Sequence, residues 1–229
     1  MRRLYDLRLA DPAVRPSPYC WRAKWALLHK GLDFETVPLR FDEKQNYPDP
    51  PHVLVPTLDD GGVLISDSAR ILDYLDETYP EKPLTRTSGE RAAVDFYWSW
   101  LLADLLPALA PLAMFKVFEA VDPADRAYFR EAREKRFGKP LERLADDPAL
   151  PTRVTAALKM LEGPLAAHEF LGGETPNPAD YLVGGFMMWT RIIGAEALFE
   201  KPAAVEAWTA RLLDLYDGYA RKAKCVGRA

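Results

Sequence analysis

The chain has 229 residues, 48% of them hydrophobic, and its 34 acidic against 30 basic side chains leave a net charge of −4. That is enough apolar material for one sizeable core or two modest ones, while the mild acidity supplies no concentrated basic face for a nucleic acid. No uninterrupted run of about 18 apolar residues is available to span a membrane.

The opening "MRRLYDLRLADP" carries two arginines but only a short apolar stretch, broken by Asp6 and Arg8 and too short for a signal peptide. Within it "RLYDL" (3–7) is a strand candidate. "SPYCWRAKWALLHKG" (17–31) reads as a helix with Ser17 as N-cap, Pro18 in the first turn and Gly31 as the stop. "FETVPL" (34–39) is β-prone, and "VLVPTLDDGGVLIS" (53–66) reads as two short strands joined by Asp60-Gly61-Gly62. "DSARILDYLDETYP" (67–80) is helical, with Ile71, Leu72, Tyr74 and Leu75 on or near one face and Pro80 at its end. "PEKPLTRTSGE" (80–90) has linker composition. Beyond it "GERAAVDFYWSWLLADLLPALAPLAMFKVFEAV" (89–121) is a long helical stretch with kinks expected at Pro107 and Pro111. Four further helical segments follow and no β-rich segment returns. The pattern β-α-β then β-β-α, followed by helices alone, predicts an α/β domain over 1–80, a linker over 81–87 and an all-α domain over 88–229.

Cys20 and Cys225 are too few and too distant to form a disulfide framework, and His29, His52 and His168 show no metal-ligand spacing. A reduced cytoplasmic protein with no metal is the expectation. Val55-Pro56 stands at the entry to a strand, where a proline lacks the ladder N–H; an ordinary trans edge proline or a cis turn would each serve. Asp67-Ser68 fits an N-cap, and a helix N-terminus is also an anion site. Asn177 with Asp180 three residues on fits a capping box, which assigns it to folding.

"SPYCWR", "VPTL" (55–58), "SDSARILDYLD" (66–76) and "FLGGETPNPADYLV" (170–183), in this order and at this spacing, resemble the glutathione S-transferase superfamily over essentially the whole length. The stretch up to residue 39 is most similar to the lignin β-etherases and the fungal etherase-like transferases, with tau and zeta transferases more distant. The resemblance implies a thioredoxin-like N-terminal domain and a helical C-terminal one, with glutathione as cosubstrate and a homodimer. It also implies a cis-Pro56, the Val55 backbone pairing with the tripeptide, the γ-glutamyl carboxylate on Ser68 with Asp67 near its amino group, and Ser17 as catalytic hydrogen-bond donor. Capping alone is the competing account of Ser17. Tyr5 is a second candidate donor.

One departure is Leu54, where many relatives carry a basic or amide side chain; His52, Lys44, Gln45 or Asn46 are the candidates to replace it. Serine in the position that a Cys-Pro-Tyr-Cys dithiol would give its nucleophile leaves Cys20 unpartnered, which predicts a packing role for Cys20. Cys225 is expected in a frayed tail. The electrophile pocket is expected between the domains, lined by residues 8–16 and aromatics of the first long helix; Trp98, Trp100, Phe115 and Phe118 have the character, although a core position explains them equally well. The function expected is a glutathione-dependent transferase acting on a hydrophobic or aromatic molecule, including β-aryl ether cleavage. The alternatives are a non-catalytic glutathione-fold scaffold and a monothiol oxidoreductase working through Cys20.

Overall fold

The computed structural model describes residues 1–49 and 54–227. Four strands, β1 (Arg2–Leu7), β2 (Phe34–Leu39), β3 (Thr57–Asp60) and β4 (Val63–Ser66), form one mixed sheet in the order β2-β1-β3-β4. β1 and β2 are parallel, in register from Arg2 opposite Phe34 to Leu7 opposite Leu39. A parallel pair needs a crossover, and α1 (Pro18–Lys30) supplies it. β3 runs antiparallel to both β1 and β4. Gly61 and Gly62 close the β3–β4 hairpin with φ of 65° and 100°, a left-handed pair that glycine adopts without a Cβ clash. α2 (Ser68–Thr78) buries Ile71, Leu72 and Leu75, while Tyr74 lies half-exposed. This is the thioredoxin-like arrangement of the N-terminal half.

α1 is unusual in burying three cations, and each has a partner. Lys24 meets Asp6 of β1 at 2.5 Å, Lys30 meets Asp76 of α2 at 2.6 Å, and the Arg22 Nη1 donates to the Ser68 hydroxyl at 3.4 Å. Buried charges persist only when paired. These three contacts fix α1 against β1 and against both ends of α2.

The C-terminal half is helical. α3 (Ser88–Trp100) passes through one wider turn over Leu101–Leu105 into α4 (Leu106–Ala120). Pro107 follows directly on the wider turn, where its missing N–H leaves the preceding turn one helix bond short, and Pro111 sits inside the helix. The run Ser88–Ala120 is, among the described residues, the one helix with the length and apolar character to cross a membrane, contrary to the expectation that none exists. Its Leu101, Leu105, Leu109, Ala113 and Val117 are spent instead on the core; the apolarity is that of an interior helix.

α5 (Arg126–Phe137), α6 (Leu150–Lys159), α7 (Glu162–Ala167), α8 (Pro178–Ile192) and α9 (Ala203–Gly218) complete the chain. α8 is buried on all sides, apolar around its circumference, and packs directly on α1. Its capping box is present: Asn177 Oδ1 accepts from the Ala179 N–H at 2.8 Å, and Asp180 Oδ2 accepts from the Asn177 N–H at 3.0 Å. Asp180 further accepts from the N–H groups of Leu171 and Gly172 and from Trp208 Nε1 at 2.8, 2.9 and 2.8 Å. A carboxylate without solvent contact is thereby satisfied four times over.

Two expectations about cysteine meet different outcomes. Cys20 is fully buried, as a packing residue should be. Cys225 is not in a frayed tail; it is 5% exposed, and the next residue's N–H closes onto the Ile192 carbonyl at 2.8 Å.

Candidate functional site

Two cavities meet at the junction of sheet and helices. The first, about 530 Å³, is a groove walled by Leu54, Val55, Pro56, Asp67, Ser68, Arg22, Arg91 and Trp98. The second, about 240 Å³, is walled by Ser17, Leu106, Met114, Phe129, Phe186 and Trp189, among others. Tyr19 and Val55 line both. The structure therefore brings together all five residues singled out by sequence: Val55, Pro56, Asp67 and Ser68 in the groove, and Ser17 just across the shared wall.

The Val55–Pro56 peptide is cis, at the entry to β3. The Pro56 carbonyl accepts from the Asp67 N–H at 3.1 Å, which locks that turn to the start of α2. Asp67 is the N-cap; its Oδ1 accepts from the N–H groups of Ala69 and Arg70 at 2.7 and 3.3 Å. Its φ of 83° is left-handed for a non-glycine residue. Such strain costs on the order of 1–3 kcal/mol and collects where the backbone has a task. Ser68 follows, buried, at the first position of the helix, with its hydroxyl facing Arg22.

Arg22 was not singled out by sequence, although it closes the quoted "SPYCWR". It is 6% exposed, and its Nε has no partner among the described residues. Burial lowers its basicity, and the fields of Asp67 and Asp73 oppose that loss. Its guanidinium lies 5.9 Å from the Trp98 ring. With Arg22 and Arg91 facing Asp67, Asp73 and Asp95, the groove presents both signs of charge within one short span. That is the pattern an amino acid head group, itself a zwitterion, would match.

Ser17 is 5% exposed and caps α1, its Oγ accepting from the Cys20 N–H at 3.3 Å. That bond uses a lone pair and not the hydroxyl proton, which lies within reach of the Cys20 sulfur on one side and faces the second cavity on the other. Cys20 reaches neither cavity. Burial, first, and then the field of Asp6 push its thiol well above the ordinary range, so it is a poor source of thiolate.

Other expectations need correction. Tyr5 of β1 stands opposite Val37 of β2 and Thr57 of β3 and is not among the described residues lining either cavity. Of the four aromatics expected in the electrophile pocket, Trp98 lines the groove instead, Trp100 is core, and Phe115 and Phe118 pack on the core outside both walls. Residues 8–16 contribute Pro16. The pocket takes its walls from α4, α5 and α8; Phe129, Phe137, Phe186 and Trp189 lie on segments whose faces cannot be oriented before the helices are packed. Lys44, Gln45 and Asn46 form a single turn away from the groove, so none replaces the missing polar group beside Val55. His52 lies outside the described residues. Leu54 is 54% exposed at the groove's lip.

The chain matches the glutathione S-transferase N-terminal domain model over residues 13–83 and the glutathione S-transferase C-terminal domain model over 92–215. It is 28% identical to glutathione transferase GST 23 of Zea mays, over 87% of this chain and 82% of that protein. Among solved structures it resembles glutathione transferase GSTFuA3 of Phanerochaete chrysosporium, with a TM-score of 0.79, 21% identity and coverage of 95% and 96% of the two chains. A glutathione S-transferase of Ceriporiopsis subvermispora, solved in complex with glutathione, superposes at a TM-score of 0.78 with 23% identity over 95% and 97% of the chains. With both halves matched in sequence order, this chain belongs to the glutathione S-transferase family, whose cosubstrate is glutathione.

Proposed function

We infer that the protein binds glutathione in the groove and presents its thiolate, across the Val55 and Tyr19 wall, to a hydrophobic aromatic electrophile in the adjoining cavity. The observation that carries this reading is Ser17, a hydroxyl that caps α1 as an acceptor and lines the second cavity beside the wall it shares with the groove. A free thiol with a pKa near 8.5 is only a few per cent ionised at neutral pH. Lowering it by about two units takes roughly 2.7 kcal/mol. A hydrogen bond to a charged sulfur contributes about 1.5–3 kcal/mol and the α1 dipole about 0.3–1 more. The two together suffice, and no base is needed because the nucleophile arrives with the cosubstrate.

The remaining groups fit the rest of the tripeptide. The Ser68 N–H and hydroxyl, with Arg22, suit the γ-glutamyl carboxylate at the start of α2; Asp67 suits its amino group; the Val55 backbone suits the cysteinyl backbone in a short strand-like pairing. Attack forms the C–S bond as the leaving group departs with the electron pair. For a β-aryl ether the leaving group is an aryloxide, and that substrate class, with placement in the etherase-like branch, is part of the proposal. So are a homodimer, a cytoplasmic location, and units bounded at 1–80 and 88–229 with 81–87 between them. Leu54 favours a second reading, a scaffold that keeps the fold without holding the tripeptide. The oxidoreductase alternative has no such support, since Cys20 is buried with its thiol proton held on.

The test is a panel of electrophiles, a β-aryl ether included, incubated with glutathione and read by mass spectrometry, alongside titration of glutathione itself. Ser17→Ala should bind glutathione but lose at least about tenfold in conjugation, and the bound thiol should titrate close to its free value. Unchanged rates would remove Ser17 from the mechanism; absence of glutathione binding by the unaltered protein would favour the scaffold.

A further inference from the structure

Apart from the hydroxyls of Ser17 and Tyr19, the second cavity is apolar except at one edge. Arg133 and Arg136, three residues apart on α5, are the only charged side chains in its wall among the described residues. Residues at this spacing share a helix face, and like charges there repel. Among the described residues no carboxylate lines the cavity, and neither guanidinium forms an ion pair or a hydrogen bond. The acid within reach in sequence, Glu134, is used elsewhere: its Oε1 accepts from Arg130 at 2.8 Å and from the Leu141 N–H at 3.1 Å. Arg130 also meets Glu142 at 2.6 Å, so one arginine of α5 has two carboxylates while the two facing the cavity have none. Arg133 instead lies over the Phe129 ring at 4.8 Å and Arg136 over Phe137 at 5.8 Å. Each guanidinium thus has an aromatic ring within cation–π range, a contact that uses no N–H donor. Burial, first, and then the charge of Arg136 lower the basicity of Arg133, a direction that an incoming anion would reverse.

Resting on the reading of this cavity as the electrophile pocket, we propose that its preferred electrophile is an aromatic molecule bearing an anionic group, a carboxylate or sulfonate, which Arg133 and Arg136 receive while the ring lies among the aromatic walls. An apolar pocket with a few convergent polar groups fixes orientation by those groups. Here the charge would set which end of the ring faces the thiolate.

A matched pair of aryl chlorides tests this: neutral 1-chloro-2,4-dinitrobenzene and anionic 4-chloro-3,5-dinitrobenzoate. In both, the glutathione thiolate forms the C–S bond and chloride leaves with the electrons of the C–Cl bond. With the unaltered protein, kcat/KM for the benzoate should fall as salt rises, while that for the neutral chloride stays level. Replacing both arginines (Arg133→Gln with Arg136→Gln) should cut kcat/KM for the benzoate about 10–100-fold, mainly through its KM, and change the neutral substrate less than about twofold. Arg133→Lys with Arg136→Lys should restore part of the loss, which a merely structural role would not predict.

Equal losses on both substrates, or a loss expressed in the KM for glutathione, would overturn the inference. If neither chloride is turned over, calorimetric titration with 2-naphthoate and with 2-naphthalenemethanol reads the pocket directly. Arginine-dependent preference for the carboxylate then supports an aromatic-anion site at Arg133 and Arg136, and the panel of electrophiles decides separately whether the ligand is a substrate. Equal affinity for the two would reject the inference.

Discussion

A hydroxyl that caps a helix and a hydroxyl that donates to a thiolate use different parts of the same group, so Ser17 can do both at once. Arg22 is the complementary case in the groove. Its charge is supported against burial by the fields of Asp67 and Asp73 without a direct carboxylate bond among the described residues, which leaves donor capacity for an incoming anion. Arg22→Ala should therefore weaken glutathione binding by about 10–100-fold, the scale of a lost hydrogen bond to a charged group, as read by calorimetry on protein whose melting shows it folded. Affinity within twofold of the unaltered protein would mean that Ser68 and its N–H suffice alone. Ser17, Val55, Pro56, Asp67 and Ser68 were legible in the sequence because each is bound to a local signal: a cap, an X-Pro pair, a helix start. Arg22 was not, because a cation inside an amphipathic helix normally faces water, and only the approach of α2 shows that this one does not.

At the scale of elements, the position of Ser17 depends on how closely α8 approaches α1. Gly185 faces the Pro18 carbonyl so closely that any Cβ there would collide with backbone, and a Cβ on Gly184 would lie 2.5 Å from Leu212 Cδ1 and 3.1 Å from the Trp25 ring. A backbone obstacle cannot rotate away as a side chain can. Gly185→Ala should displace the first turn of α1, costing roughly 1–3 kcal/mol of stability by overpacking and lowering conjugation out of proportion to glutathione binding. Urea unfolding and steady-state kinetics on the same preparation would check both; intact kcat in a destabilised variant would show that the turn does not move. The order of strands and helices was readable from periodicity and turn residues, down to Gly31 and the Asp60-Gly61-Gly62 hairpin. The packing of α5 and α8 that builds the second cavity was not, since α8 is apolar on every side and no periodicity marks which face meets α1.

Across the whole molecule, the two halves are also joined by a polar chain. His29 of α1 lies 2.7 Å from the Tyr181 hydroxyl of α8, which in turn lies 2.5 Å from the Tyr216 hydroxyl near the end of α9. Tyr216 and Asp217 adopt left-handed φ values of 54° and 56° there. Burial, with the nearby charge of Lys30, holds the imidazole down at about 4. Between that value and its unfolded value near 6.5, the unfolded chain takes up a proton that the folded chain refuses, so stability falls as pH drops through this window and is complete above it. His29→Gln should flatten that part of the profile in denaturant unfolding followed from about pH 4 to 7.5. An unchanged slope would assign the acid sensitivity to other groups.

Only the side chains of Tyr19 and Val55, which face into both cavities, stand between the groove and its neighbour. The finished conjugate is one covalent molecule gripped at two ends, and it must release both before the next cycle begins. Accumulated product should then compete with each substrate separately, and the tempo of turnover would be governed by departure as much as by bond making.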